Sequence, residues 1–210
     1  MNAVDALLRA PPQTTPAVRT ALALGLGGGA LMGAVLGASS GEPRLAVFAA
    51  VKVPLLLLLS AGLCLPSFYV LNTALGLRGD LRAALRALLA AQATLGVTLG
   101  ALTPMTVFGT LSIADPYALT LLDGLLFAVA TFAAQQILAR HYAPLVARDP
   151  RHRVALRGWL VLYVFTGIQL AWVLRPFRGT VGFAVEFLRP EALEQNAYLV
   201  LLDHFVRLLR

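Results

Sequence analysis

The chain has 210 residues, 59% hydrophobic and only 13% charged, with a mean hydropathy of +0.78. Soluble domains run near about 45–50% apolar and about 25% charged, so the composition excludes a soluble globular domain and favours a single membrane-embedded one. The net charge of +7 does not point to a nucleic-acid partner, because the arginines flank hydrophobic runs and form no aromatic-interleaved basic face.

Residues 1–20 are a short polar leader with Pro11, Pro12 and Pro16, expected to be loose or a brief surface helix. Residues 21–39 form an apolar run of spanning length. Its small-residue end resembles a signal-peptide cleavage site, but the long proline-rich leader argues for a retained span. Within this run Gly25, Gly29, Gly33 and Gly37 recur every four residues, with Gly27 and Gly28 added. Spacing of four puts small residues on one helix face, ready to pack on a neighbouring span or on a second copy of the chain.

The second run, residues 45–71, carries Lys52, Pro54, Pro66 and the adjacent Asn72. Continued to Leu77 it would be about 50 Å long against a hydrocarbon core of about 30 Å. It is therefore expected to tilt, to kink at Pro66, or to begin with an interfacial turn up to Pro54. A short basic loop (76–86) with Arg78, Arg82 and Arg86 leads to the third span, 87–111, interrupted by Pro104. The fourth span, 117–139, holds Asp123, Gln135 and Gln136. Residues 140–157 read as the most basic loop, and the fifth span, 158–174, stops at Arg175-Pro176. In the tail, 175–210, Leu193, Ala197, Leu201, Phe205 and Leu208 share one side of a helix that starts near Pro190. The expected fold is thus an all-α polytopic transmembrane bundle of about five spans with a C-terminal amphipathic interfacial helix.

Orientation follows from the basic residues of the short loops. Arg9, Arg19, Arg78, Arg82, Arg86, Arg140, Arg148, Arg151, Arg153 and Arg157 fall on one side, and Arg44 and Lys52 on the other. That asymmetry puts the N-terminus in the cytoplasm and, with five spans, the C-terminus outside. Trp172 and Tyr117 then belong to the outer aromatic belt and Trp159 to the inner one.

Lys52, Asp123 and Gln169 fall at a similar depth and form the candidate intramembrane polar cluster. Lys52 either snorkels outward along its own stem or pairs with Asp123, since either charge alone in lipid is costly. Arg175, Pro176 and Phe177, where the fifth span ends, are a candidate anchor for the tail, with Arg175 bonding helix-end carbonyls or an acid such as Glu186. Cys64, the single cysteine, lies among leucines and reads as a small hydrophobe. The histidines lack metal-ligand spacing, and the sequence carries no nucleophile motif, phosphate loop or paired intramembrane aspartates. No catalytic activity, metal or cofactor is expected.

Several stretches carry a family resemblance. They are Gly29–Gly37, Lys52-Val-Pro-Leu55 through Leu65-Pro-Ser-Phe-Tyr-Val-Leu-Asn72 with Gly76, Tyr163, Gly167-Ile-Gln-Leu-Ala-Trp172, Leu174-Arg-Pro-Phe177 with Gly179, Phe187-Leu-Arg189 and Asn196-Ala-Tyr198. Together they resemble a bacterial family of small, uncharacterised multi-span inner-membrane proteins, with a weaker likeness to Yip-type membrane proteins. Where that family carries Gly-Ser-Pro, this chain has Gly179-Thr-Val181. The resemblance implies a bacterial inner-membrane location and supplies no activity. The expected function is a membrane scaffold or partner-binding protein. Its partners would be the lipid bilayer and a protein partner or a second copy. The alternative is a transporter or channel component using Lys52, Asp123 and Gln169.

Overall fold

A computed structural model describes residues 3–11, 15–39, 41–175, 177–178 and 186–188, without the side chains of Thr15, Pro16, Pro116 and Tyr117. Among these residues the chain is all-helical. Its elements are α1 (Ala3–Arg9), α2 (Thr15–Ala38), α3 (Pro43–Ala74), a 3-10 turn (Arg78–Asp80), α4 (Leu81–Ser112), α5 (Pro116–Arg148) and α6 (Arg151–Leu174). The five helices from α2 to α6 are each long and apolar enough to cross a membrane. The amphipathic tail helix expected beyond Pro190 lies outside the described residues.

Helix ends depart from the sequence reading in a consistent direction. Residues 140–157 are helical except for Asp149 and Pro150, and the 76–86 segment is helical from Arg78 onward. Charge marks where a helix leaves hydrocarbon, not where it stops. Arginine is a good helix former, so the helices run on past the apolar limit. The prolines do not break the chain either. α3 passes through Pro54 and Pro66, and α4 passes through Pro104, without interruption. Four residues before Pro66 stands Gly62, and four before Pro104 stands Gly100, which eases the clash between a proline ring and the preceding turn. α1 is a short helix whose Leu7 is buried with Ala21 of α2 and with Ala90 and Ala93 of α4.

The helices alternate in direction, and α2 is central. It packs along α3 on one side and along α4 on the other, while α6 leans on α3 and α5 on α4. Two sets of glycines make the close approaches possible. A Cβ on Gly33 or Gly37 would collide with the backbone of α3 at Ala49 or Leu45, and one on Gly29 would sit 3.3 Å from the Leu57 side chain. A Cβ on Gly25 would instead lie 2.8 Å from Ala93 Cα of α4, and one on Gly28 would collide with the Gly96 carbonyl. Gly27 faces open space.

One end of the bundle, carrying the turns after α3 and α5, is locked by charge. Gly76, at φ 75°, ends α3 in a Schellman turn in which Leu77 N–H donates to the Asn72 carbonyl at 2.8 Å. Arg151 Nη1 donates to the Leu75 carbonyl at 2.9 Å, while its Nε and Nη2 grip Asp149. A cation at a helix C-terminus is favoured by the helix dipole. Arg148 Nη1 donates to Asp80 at 2.7 Å, and His152, fully buried, places Nε2 3.3 Å from the same carboxylate. These bonds tie the α5–α6 turn to the ends of α3 and α4.

Arg151 holds the Asp149 carboxyl below the usual carboxylate range, first by side-chain hydrogen bonding. A lowered native value stabilises the fold above the unfolded value, near about pH 4, and that contribution disappears as the pH falls through the native value. Lowering the pH from about 5 to about 3 should therefore reduce Tm more steeply in the wild type than in D149N. Superimposable curves would show that the pair contributes nothing to folding.

Beneath this end the core is aromatic. Phe68 meets Trp159 edge-on at 5.3 Å, and Trp159 stacks on Tyr163 at 5.7 Å. Trp159 is therefore a core residue, 2% exposed, and not part of an aromatic belt. Cys64 Sγ approaches Thr166 Oγ1 at 3.4 Å and joins α3 to α6.

Candidate functional site

The residues of the expected polar cluster do not assemble as a set. Lys52 and Asp123 form no ion pair, because α3 and α5 are not packing neighbours. Asp123 is taken by Arg178, whose Nε donates to Oδ2 at 2.9 Å and whose Nη2 donates to Oδ1 at 3.1 Å. Arg178 Nη1 also donates to Thr110 Oγ1 at 3.1 Å, so one guanidinium joins α4 and α5. This forked geometry suits arginine and lies beyond the reach of a lysine point charge. Nor does Lys52 run outward to an interface: it is wholly buried, with Nζ 5.4 Å from the Phe187 ring centroid. Phe187 in turn meets Phe48, one turn before Lys52, edge-on at 5.5 Å. Gln169 is half-buried on α6.

Of the candidate anchor, Arg175 caps α6 and lays its guanidinium over Trp172, 3.4 Å from the ring centroid. Phe177 packs against the main core, and Pro176 lies outside the described residues. Arg175 thus stays on α6, while Arg178 reaches α4 and α5.

A concavity lies between the last two helices. α5 and α6 are consecutive and joined by a tight turn, yet they touch only sparingly. Between them opens a cleft of about 570 Å³. Leu56, Leu57 and Ser60 of α3 and Leu95 of α4 form its buried floor. One wall is Phe127, Ala128, Thr131, Phe132 and Gln135 of α5. The other is Tyr163, Val164, Gly167, Ile168 and Ala171 of α6. Both sets repeat at three to four residues, as one helical face must. The rim turns outward, with Phe132 66% and Val164 48% exposed, so the cleft opens sideways.

Its chemistry is simple. No Asp, Glu, Lys or Arg is among the lining residues described. The polar groups are Ser60, Thr131, Gln135 and Tyr163, all near the middle of their helices. The Tyr163 hydroxyl donates to Gln92 Oε1 at 3.2 Å, which ties α6 to α4 behind the floor. Gln135 Oε1 is enclosed without a hydrogen-bond donor among the described residues. Gln135 and Gln92 look like interhelical glue from sequence alone. Gly167 on the α6 wall has room for a Cβ, which would sit 3.8 Å from Ser60 Oγ. Arg178 lay beyond sequence reasoning, because its partner is 55 residues away. Compared with family models, curated proteins and solved structures, the chain matches none.

Proposed function

We propose that this is a membrane-embedded binding protein that holds a membrane-resident partner in the cleft between α5 and α6. The observation that carries this reading is the parting of two consecutive helices along a sideways-opening, apolar and uncharged concavity at mid-depth. Such pockets, of about 300–1,000 Å³ with a few convergent polar groups, are the usual form of ligand sites. A role as scaffold or partner-binding component is of this kind. The alternative, a transporter or channel component, drew on Lys52, Asp123 and Gln169 and is weakened because Asp123 is engaged by Arg178.

The loop arginines support a cytoplasmic N-terminus and an external C-terminus, and the family resemblance supports the bacterial inner membrane. Reporters fused after residue 80 and within the α5–α6 turn should then read cytoplasmic, and one after Arg210 external. A cytoplasmic C-terminal reporter on the intact chain would refute that orientation.

Binding is tested by gentle solubilisation followed by native mass spectrometry and identification of co-purifying lipids and proteins. A stoichiometric species that is retained by the wild type and lost on cleft filling by G167F supports the reading. Solute flux in liposomes, with no retained species, would replace it with transport.

A further inference from the structure

We propose that Arg153 and Arg157, on the outward face of α6, hold the head of an anionic phospholipid in the leaflet at the α5–α6 turn. Neither residue lines the α5–α6 cleft, so the site does not depend on what the cleft binds.

Charge singles out these two residues. At the end of the bundle that carries the turns after α3 and α5, the described acids are already matched: Asp5 by Arg9, Asp80 by Arg148 and Asp149 by Arg151. α6 itself carries no Asp or Glu. Arg153 and Arg157 are exposed, and no hydrogen bond or ion pair reaches either of them from the described residues. Standing four residues apart, they are neighbours on one helix face, where like charges repel unless an anion lies between them.

Depth selects a lipid as the source of that anion. The apolar part of α6 begins at Gly158, so Arg157 stands at the hydrocarbon limit and Arg153 one turn, about 6 Å, beyond it. With about 30 Å of hydrocarbon in a bilayer of about 40–45 Å, each headgroup layer is about 5–8 Å thick. The two arginines therefore span the layer in which lipid phosphates lie.

The same face supplies the place for the chains. Arg153, Arg157, Val161 and Phe165 recur every four residues and form one row. Val161 is 71% and Phe165 60% exposed, whereas Ala155 and Trp159 on the opposite face are buried. A body that meets this row along its length carries an anion at one end and hydrocarbon at the other. Phosphate suits the forked donors of arginine. A zwitterionic head brings its own cation to a place that already holds two, and a head of net negative charge does not.

The test is native mass spectrometry of the full chain in a mild detergent, with phosphatidylglycerol or phosphatidylcholine of identical chains added. The wild type should retain phosphatidylglycerol in preference to phosphatidylcholine, and the preference should shrink as the ammonium acetate concentration rises. R153Q and R157Q should each weaken phosphatidylglycerol retention about fivefold, the worth of one arginine near an anionic surface, and the double change about 25-fold. R44Q, an exposed arginine at the opposite end, should leave retention unchanged. R153K/R157K should fall between the wild type and the double glutamine variant, and is the second measure should that variant fail to fold. Equal retention of the two lipids by the wild type, or a preference untouched by R153Q/R157Q, would overturn the assignment. Displacement of phosphatidylglycerol by inorganic phosphate at equal concentration would replace the lipid with a soluble anion. A second protein chain that is retained by the wild type and lost in R153Q/R157Q, without any lipid preference, would give the arginines to a protein partner instead.

Discussion

Gly33→Leu should leave little folded protein, whereas Gly27→Leu, six residues away on the same helix, should be nearly silent. A Cβ on Gly33 would collide with the Ala49 carbonyl and lie 3.0 Å from Ala50 Cα, so the obstacle is backbone and cannot rotate away. A methyl forced into a filled contact costs about 1–3 kcal/mol, and a whole isobutyl group must separate α2 from α3. Total stabilities of about 5–15 kcal/mol leave little margin for that. Gly29→Ala should be milder, because its nearest neighbour is the movable end of Leu57. Gly27 has nothing within 4 Å and supplies the control. Thermal melts and size-exclusion profiles in one detergent measure the series. If G33L and G27L melt alike, the α2–α3 contact is not the tight interface described.

The second large effect concerns Asp123 and Arg178. Their side chains are only 14% and 16% exposed, and they bridge the segment after α6 to α5. Removing one partner strands the other, which for buried pairs costs about 3–5 kcal/mol. Asp123→Leu and Arg178→Leu should each destabilise on that scale, and the double change should recover much of the loss. Arg178→Lys keeps the charge but forfeits the fork and the bond to Thr110, so it should fall between wild type and R178L. A double-mutant cycle on denaturation free energies gives the coupling directly. Additive single effects would show that the two charges are stabilised by other surroundings.

Much of the fold was legible because hydrocarbon imposes length and composition on any segment that crosses it. Five apolar runs gave five spanning helices, and the four-residue glycine spacing marked α2 as a helix built for close contact. Partners were not legible in the same way. Gly25 and Gly33 share a spacing, yet one faces α4 and the other α3, because α2 is wedged between the two. The pairing of Lys52 with Asp123 assumed that equal depth means proximity, and depth says nothing of position in the bundle. Arg178 was overlooked because it follows the last span, where an arginine reads as an interfacial anchor. The helices run on through Arg78 and Arg140, because charge marks the hydrocarbon limit and does not stop a helix. Of the cleft, only Gln135 as a polar group within a span is legible; that α5 and α6 part is a tertiary outcome.

The central place of α2 also has a bearing on the order of synthesis. Its two glycine faces are filled once α3 and α4 have emerged, so the first three spanning helices can reach their final contacts while α5 and α6 are still being made. α5 then packs mainly on α4, and α6 mainly on α3, each a surface already in place. A nascent chain stalled after Ser112 should therefore carry a protease-resistant trio of helices. The last two are added to it as a pair joined at Asp149-Pro150, each laid against a helix already in place.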